Sequence, residues 1–387
     1  MAPARVRAAT LVAPGRYEIR EYPYTSPAPG CVVVQMELSG ICGTDKHAYQ
    51  GYLTQYAGTG SAPKQLPLPI IQGHENVGTI VEIGEDRGYT DVEGVPLHVG
   101  DRVVVGANVV CGECYYCRRD FPYYCCERMV DYGNNLSAAT PPHLFGGWAE
   151  YLYVIPGSFL VKVPDDVPSH VAVLTEVMAV SVGMDRAKQF SAVPNESFLF
   201  DDTVVCLGVG ALGMCFLMKA RMLGAGTIVA IDRSAFRLDM ARQLGADVTL
   251  NAAETSAADR LAVVRDLTHG RGADLVVECA GVPEVIPEAL ELLRVNGMLV
   301  EAGNFSDLGE VRISPHRHLC SKGVRIIGVG GEEPGAYGPS LRQMARYMRQ
   351  YPLGEFVTHR FALKDVDAAV QAAIAPDSMK VVIAPWA

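Results

Sequence analysis

The chain has no uncharged apolar run approaching the roughly eighteen residues that a membrane-spanning helix needs, so no bilayer partner is expected. It also lacks an excess of basic charge. Lys and Arg number 33 against 43 Asp and Glu, for a formal net charge of -10. The arginines are scattered among acids, so the clustered basic surface that phosphate backbones require is missing and nucleic acid is excluded as a partner. Nor is a signal peptide expected. The opening stretch MAPARVRAATLVAPGRYEIREY has only a short apolar run, and Pro14-Gly15 separates two alternating segments, which predicts a β-hairpin. Without an export signal, the 11 cysteines are expected in a reducing compartment, by default the cytoplasm, where metal ligation outweighs disulfide bonding. Internal repeats and low-complexity segments are also lacking.

What is present is ordinary globular composition over a length that splits into two cores. Of 387 residues, 49% are hydrophobic and 20% charged, and chains of this size divide into domains. Up to about residue 165, short β-like runs such as CVVVQMELSG, NVGTIVEIG and DRVVVGANVV alternate with Gly, Pro and Asp turns, which predicts a β-rich barrel with long loops. After VKVPDDVPSH, strand-like TVVCLGVG, TIVAID, ADLVVECAG, NGMLVEAGN and VRIIGVG alternate with helix-like segments, which predicts a parallel sheet with helices on both faces. The tail, with helix-like PSLRQMARYMRQ and VDAAVQAAI around strand-like FVTHRFAL, loses that rhythm and is assigned back to the first domain. The expected fold is therefore α/β, with residues 1–176 and 334–387 in one domain and 177–333 in the other.

Gly208-Val209-Gly210-Ala211-Leu212-Gly213 fits Gly-x-Gly-x-x-Gly between an apolar strand and a helix. In that context the first glycine makes the tight turn, the second admits a pyrophosphate and the third packs helix on strand. Asp232 ends the next strand, where a carboxylate binds both adenosine ribose hydroxyls and repels a 2'-phosphate. This favours NAD, although Arg233 follows directly and is suited to a phosphate. Cys111, Cys114, Cys117 and Cys125 are spaced C-x2-C-x2-C-x7-C around Gly112. Four thiolates close a tetrahedral shell with no open position, so a structural zinc in a lobe of about residues 108–128 is expected, with an iron-sulfur centre as the alternative. Cys126 stands next to Cys125 as a substitute.

Gly40-Ile41-Cys42-Gly43-Thr44-Asp45-Lys46-His47 and, further on, Gly73-His74-Glu75 complete the pattern. A catalytic zinc needs mixed thiolate, imidazole or carboxylate ligands and an open position, and Cys42 with His74 supplies two of them. With GGWAEY, LTEVMAV and the glycine fingerprint in the same order, the chain resembles zinc-containing medium-chain dehydrogenases/reductases of the alcohol dehydrogenase superfamily, on the sorbitol and threonine dehydrogenase-like branch. The resemblance runs essentially end to end. It implies a GroES-like barrel, a Rossmann NAD domain, an active site in the cleft between them, two zinc ions per subunit, and a homodimer or homotetramer joined through an edge such as VRIIGVGG.

It also implies residue roles. Cys42 and His74 would be zinc ligands, with Glu176 of Leu174-Thr175-Glu176-Val177-Met178 as the third ligand and Glu75 as the alternative; valine follows where the branch usually has proline. Asp45 would fix the His74 tautomer. Thr44 would relay a proton through the nicotinamide ribose to His47, an imidazole expected to titrate near neutrality. The reaction implied is hydride transfer between a secondary or polyol-like alcohol and the nicotinamide, helped by a metal that lowers the alcohol's pKa. For the pocket, Tyr49, Tyr52 and Tyr56 lie in a long segment before His74, and Tyr132, Asn134, Asn135, His143, Phe145 and Trp148 mix polar and aromatic character. Barrel core is the competing assignment for these. The rival functions are a zinc-free quinone or enoyl reductase of the same superfamily, which the metal ligands oppose, and a non-enzymatic zinc-binding module.

Overall fold

A computed structural model describes residues 2–56, 65–84, 89–119, 125–189 and 198–387. Part of the tyrosine-bearing segment, 57–64, and part of the cysteine lobe, 120–124, therefore lie outside the described residues. The chain forms two compact units, Met1–Ala179 with Glu333–Ala387, and Val180–Glu332. The first crossing falls inside helix Thr175–Ser181, three residues after the break at 176 that the pattern suggests.

The first unit opens with the hairpin Arg5–Ala13 and Arg16–Pro23, whose turn uses Gly15 at φ +72°. Its main sheet runs Leu160–Lys162, Arg102–Val105, Asn76–Ile83, Val32–Gly40, Lys380–Ile383, Val357–Phe361, with Tyr151–Val154 also on Val32–Gly40. The tail thus returns as the register of apolar runs requires, with helices Tyr337–Tyr347 and Val366–Ile374 in the same unit. Trp148, fully buried, sits in the core and donates from Nε1 to the Gly40 carbonyl at 3.2 Å.

Register positions the site. Ser39 pairs with Asn76, and Gly40 pairs with Val382. Cys42, just past the end of one strand, His74-Glu75, just before the start of the next, and Lys380 on the third therefore arrive at one end of the sheet. Three segments distant in sequence meet because ladder hydrogen bonds leave no other alignment for their apolar faces.

The second unit is a six-stranded parallel sheet in the order Val248–Asn251, Thr227–Asp232, Thr203–Leu207, Ala273–Glu278, Leu293–Glu301, Arg325–Gly328. Its central strand, TVVCL, is buried throughout, as expected where helices cover both faces. Strand order reverses between Thr203–Leu207 and Ala273–Glu278, the switch point beside which doubly wound sheets take ligands. Arg325–Gly328 is one edge strand and Val248–Asn251 the other.

Candidate active site

Cys42 caps the helix Gly43–Tyr49, and its backbone N–H donates to Asp45 Oδ2 at 2.8 Å. Donor atoms of Cys42, His74 and Glu75 lie within 4.8 Å of one another. Thiolate, imidazole and carboxylate are the mixed set that suits a zinc site with an open position. Glu176, in the first turn of Thr175–Ser181, is 5% exposed and near enough for its charge to act on His74 and Lys380, yet it is outside this set of three. Of the two candidate carboxylates, Glu75 is the one whose donor atom groups with Cys42 and His74.

Burial pushes the Cys42 thiol up and the His74 ring down, but each reverses the other's shift: the thiol ends below its ordinary range and the imidazole well above. Two such groups share a proton that a divalent cation would displace. Lys380 Nζ meets both oxygens of Glu75 at 2.6 and 2.7 Å. Burial alone would lower the lysine's pKa; the carboxylate more than compensates.

Two expectations about this centre change. Asp45 does not hydrogen-bond His74 among the described residues. Its oxygens accept from Cys42 N and from Gln72 Nε2 at 3.1 Å, and Gln72 in turn accepts from the Tyr17 hydroxyl. His74 Nδ1 instead faces the Asn134 amide at 3.2 Å. Nor does His47 titrate near neutrality: burial, then the Lys46 charge, pushes it down to about 4. Thr44 Oγ1 and His47 Nδ1 are both buried without a hydrogen-bond partner among the described residues.

The pocket candidates divide. Tyr132 is fully buried with its hydroxyl 2.7 Å from Ser158 Oγ, Trp148 is core, and Asn135 is bonded to the Asp131 N–H and Met129 carbonyl. Phe145 is buried, and His143 Nδ1 lies 2.8 Å from the Ala138 carbonyl. Tyr49 stacks on Tyr17, whereas Tyr52 is exposed beside His47. Tyr56 is buried and donates to Asp131.

In the cysteine lobe the fourth sulfur is that of Cys126, not Cys125. Sulfurs of Cys111, Cys114, Cys117 and Cys126 lie within 4.8 Å of one another. The Cys111 N–H donates to Cys126 Sγ at 3.4 Å, and Cys126 is 1% exposed. Thiols this close titrate together: backbone N–H of Cys117, the largest contributor, holds Cys114 down at about 6, while burial pushes Cys117 up to about 12. Such crowding suits a metal that takes thiolates.

In the second unit, Gly208 has φ +79°, and a Cβ there would meet Ala280 N at 2.5 Å, so the turn admits only glycine. A Cβ on Gly213 would strike the Gly208 carbonyl at 1.9 Å, whereas one on Gly210, at the head of Ala211–Met222, would meet only the Arg237 guanidinium at 3.7 Å. Leu212 is half-buried in the first turn of that helix. A helix N-terminus of this kind favours an anionic group such as a pyrophosphate. Asp232 accepts from Val209 N at 2.8 Å and Ser234 N at 2.9 Å, and Arg233 is exposed.

Sequence reading missed Lys380 and gave Asn134 only as a pocket residue. The lysine had one signal, a charge heading the apolar run KVVI, but its partner lies 305 residues away.

Residues 28–165 match the alcohol dehydrogenase GroES-like domain and residues 211–346 the zinc-binding dehydrogenase domain. The chain is 34% identical to 5-exo-hydroxycamphor dehydrogenase of Pseudomonas putida, over 97% of this chain and 98% of that one. It is 30% identical to erythritol/L-threitol dehydrogenase of Mycolicibacterium smegmatis, over 99% and 98%. An alcohol dehydrogenase from Thermotoga maritima superimposes with a TM-score of 0.86 at 28% identity, covering 99% of this chain and all of that one.

Proposed function

Because the chain belongs to the zinc-binding, GroES-like alcohol dehydrogenase family, we propose that it oxidises a secondary or polyol-type alcohol with NAD at a centre built on Cys42, His74 and Glu75. At the coarser level it is an NAD(P)-dependent alcohol dehydrogenase that interconverts a small alcohol and its carbonyl compound. The observation that carries the finer reading is the convergence of one thiol, one imidazole and one carboxylate within 4.8 Å. A zinc-free reductase has no use for that set.

When bound, zinc supplies a Lewis acid for the substrate oxygen and the nicotinamide supplies a hydride acceptor. The chain's own groups do the rest. Cys42, His74 and Glu75 hold the metal, Lys380 neutralises Glu75, and Glu176 adds a carboxylate nearby. Thr44 would accept the proton of the substrate hydroxyl while releasing its own toward the nicotinamide ribose, from which neutral His47 would receive it at Nδ1 and pass it outward. Gly208, Gly210 and Gly213 seat the pyrophosphate, and Asp232 receives the adenosine ribose in preference to a 2'-phosphate. Cys111, Cys114, Cys117 and Cys126 hold a second, structural zinc. The relatives that act on hydroxycamphor and on erythritol or threitol support a secondary or polyol alcohol. No helix of the described residues is long and apolar enough to cross a membrane. The reading is completed by a cytoplasmic homodimer or homotetramer associating through edge strand Arg325–Gly328.

The test follows NADH formation across polyols, secondary alcohols and amino alcohols, with wild type beside Cys42→Ser. Turnover lost in the variant supports the reading; full activity without Cys42 rejects the metal mechanism.

A further inference from the structure

We propose that Asn134, not Asp45, is the positioning residue for His74, its amide deciding which ring nitrogen keeps the proton and which is left to bind metal. The inference rests on the reading of His74 as a metal ligand. A metal-bound imidazole is neutral. One nitrogen takes the ion and the other keeps its hydrogen, so the group that accepts this hydrogen fixes both tautomer and ring orientation.

The carboxylate of Asp45 is already engaged. Asp45 accepts from Cys42 N at 2.8 Å and from Gln72 Nε2 at 3.1 Å, which makes it a brace for the helix that carries Cys42. The Asn134 amide is 3.2 Å from His74 Nδ1, and the two residues are 3% and 5% exposed, so water does not substitute for this contact. An amide presents a donor on one side and an acceptor on the other, and exchanges them by a half-turn that leaves its outline unchanged. With Nδ2 toward the ring, the imidazole proton sits on Nε2, and Asn134 Oδ1 is buried without a partner. With the amide turned, Oδ1 accepts from Nδ1–H and Nε2 is free to ligate. The buried acceptor then has its hydrogen bond while Nδ2 gives up its contacts with His74 and Asp131, so it is ligation of Nε2 by the metal that selects this setting.

Asn134 is itself held by a built frame. Its Nδ2 lies 3.2 Å from Asp131 Oδ2, Tyr56 donates to the same oxygen, and the Asp131 N–H donates to Asn135 Oδ1 at 2.7 Å. Burial raises the Asp131 carboxyl above its ordinary range, so it can meet the turned amide as an acid that donates to Oδ1. A carboxylate at 134 would offer only one of these two settings.

The experiment uses the full chain loaded with zinc, with nitrogen-15 histidine spectra and zinc affinity by chelator competition. Asn134→Ala is expected to weaken zinc binding at the Cys42 centre about 10- to 100-fold and to move the His74 Nδ1 resonance. Asp45→Asn removes a nearby charge but no hydrogen bond to the ring, and should leave the proton of zinc-bound His74 on Nδ1. Unchanged affinity and resonance in Asn134→Ala overturns the proposal, as does a shift of that proton to the other ring nitrogen in Asp45→Asn. If Asn134→Ala does not fold, the Asp45→Asn spectrum on its own decides between the two residues. Failure of the underlying reading is a separate result: His74 resonances in wild type that ignore zinc altogether would show that His74 is no ligand.

Discussion

Lys380 holds both carboxylate oxygens of Glu75, at 2.6 and 2.7 Å, in a pair whose side chains are 4% and 0% exposed. Gly40 makes the space for it, since a Cβ there would lie 1.8 Å from Glu75 Oε2. Breaking a buried pair from one side leaves an uncompensated charge, so Lys380→Met should cost about 3–5 kcal/mol in denaturant unfolding. The double variant Lys380→Met with Glu75→Gln removes both charges and should recover most of that loss. A double variant as unstable as the single one would show that the loss comes from packing.

Cys126 rather than Cys125 closes the four-sulfur cluster. Cys126→Ser should therefore lower the metal content by one zinc per chain and reduce the melting temperature, while Cys125→Ser should leave both near wild type. Elemental analysis of the purified variants reads this directly. The reverse pattern restores the C-x2-C-x2-C-x7-C assignment.

Much of this was legible in the sequence because it is local. The hairpin at Pro14-Gly15, the glycine turn before Ala211–Met222 and the closely spaced cysteines each declare themselves within a few residues. So did Cys42 and His74, whose neighbours mark them. What failed to show depends on through-space distance. The spacing favours Cys125 over its neighbour Cys126, and only the positions of the sulfurs in the fold select Cys126. Asp45 was assigned to His74 by family resemblance, while Asn134, 60 residues distant, is 3.2 Å away. His47 has an ordinary side chain, and its fall to about 4 comes from burial that no spacing encodes.

Asp232 links the coenzyme turn to the strand that ends on it, through Val209 N and Ser234 N. If it also receives the ribose hydroxyls, Asp232→Ser forfeits charge-assisted hydrogen bonds worth about 1.5–3 kcal/mol, a loss in NAD affinity on the order of tenfold or more. Exposed Arg233 remains to meet a 2'-phosphate, so NADP binding should change little. Titration of both coenzymes by fluorescence distinguishes recognition from damage. Equal weakening of NAD and NADP would mean that the turn itself had been loosened.

Glu278 ends strand Ala273–Glu278 directly opposite Glu301 on the neighbouring strand, and it is fully buried. Burial, then the Glu301 charge, pushes its carboxyl from 4.5 to about 8, against the pull of N–H groups from Ala280 and Gly281 at 2.6 and 3.1 Å. The folded chain thus keeps a proton that the unfolded chain gives up. Stability from this group is full below the unfolded pKa and is lost as pH rises through the window toward about 8. Wild type should therefore melt progressively lower on going from mildly acidic to mildly alkaline buffer. Glu278→Gln still accepts from the two backbone amides and donates to Glu301 in place of the shared proton, so its decline should be shallower and its melting temperature should exceed wild type on the alkaline side. Parallel declines in the two proteins would mean that Glu278 holds no extra proton in the fold.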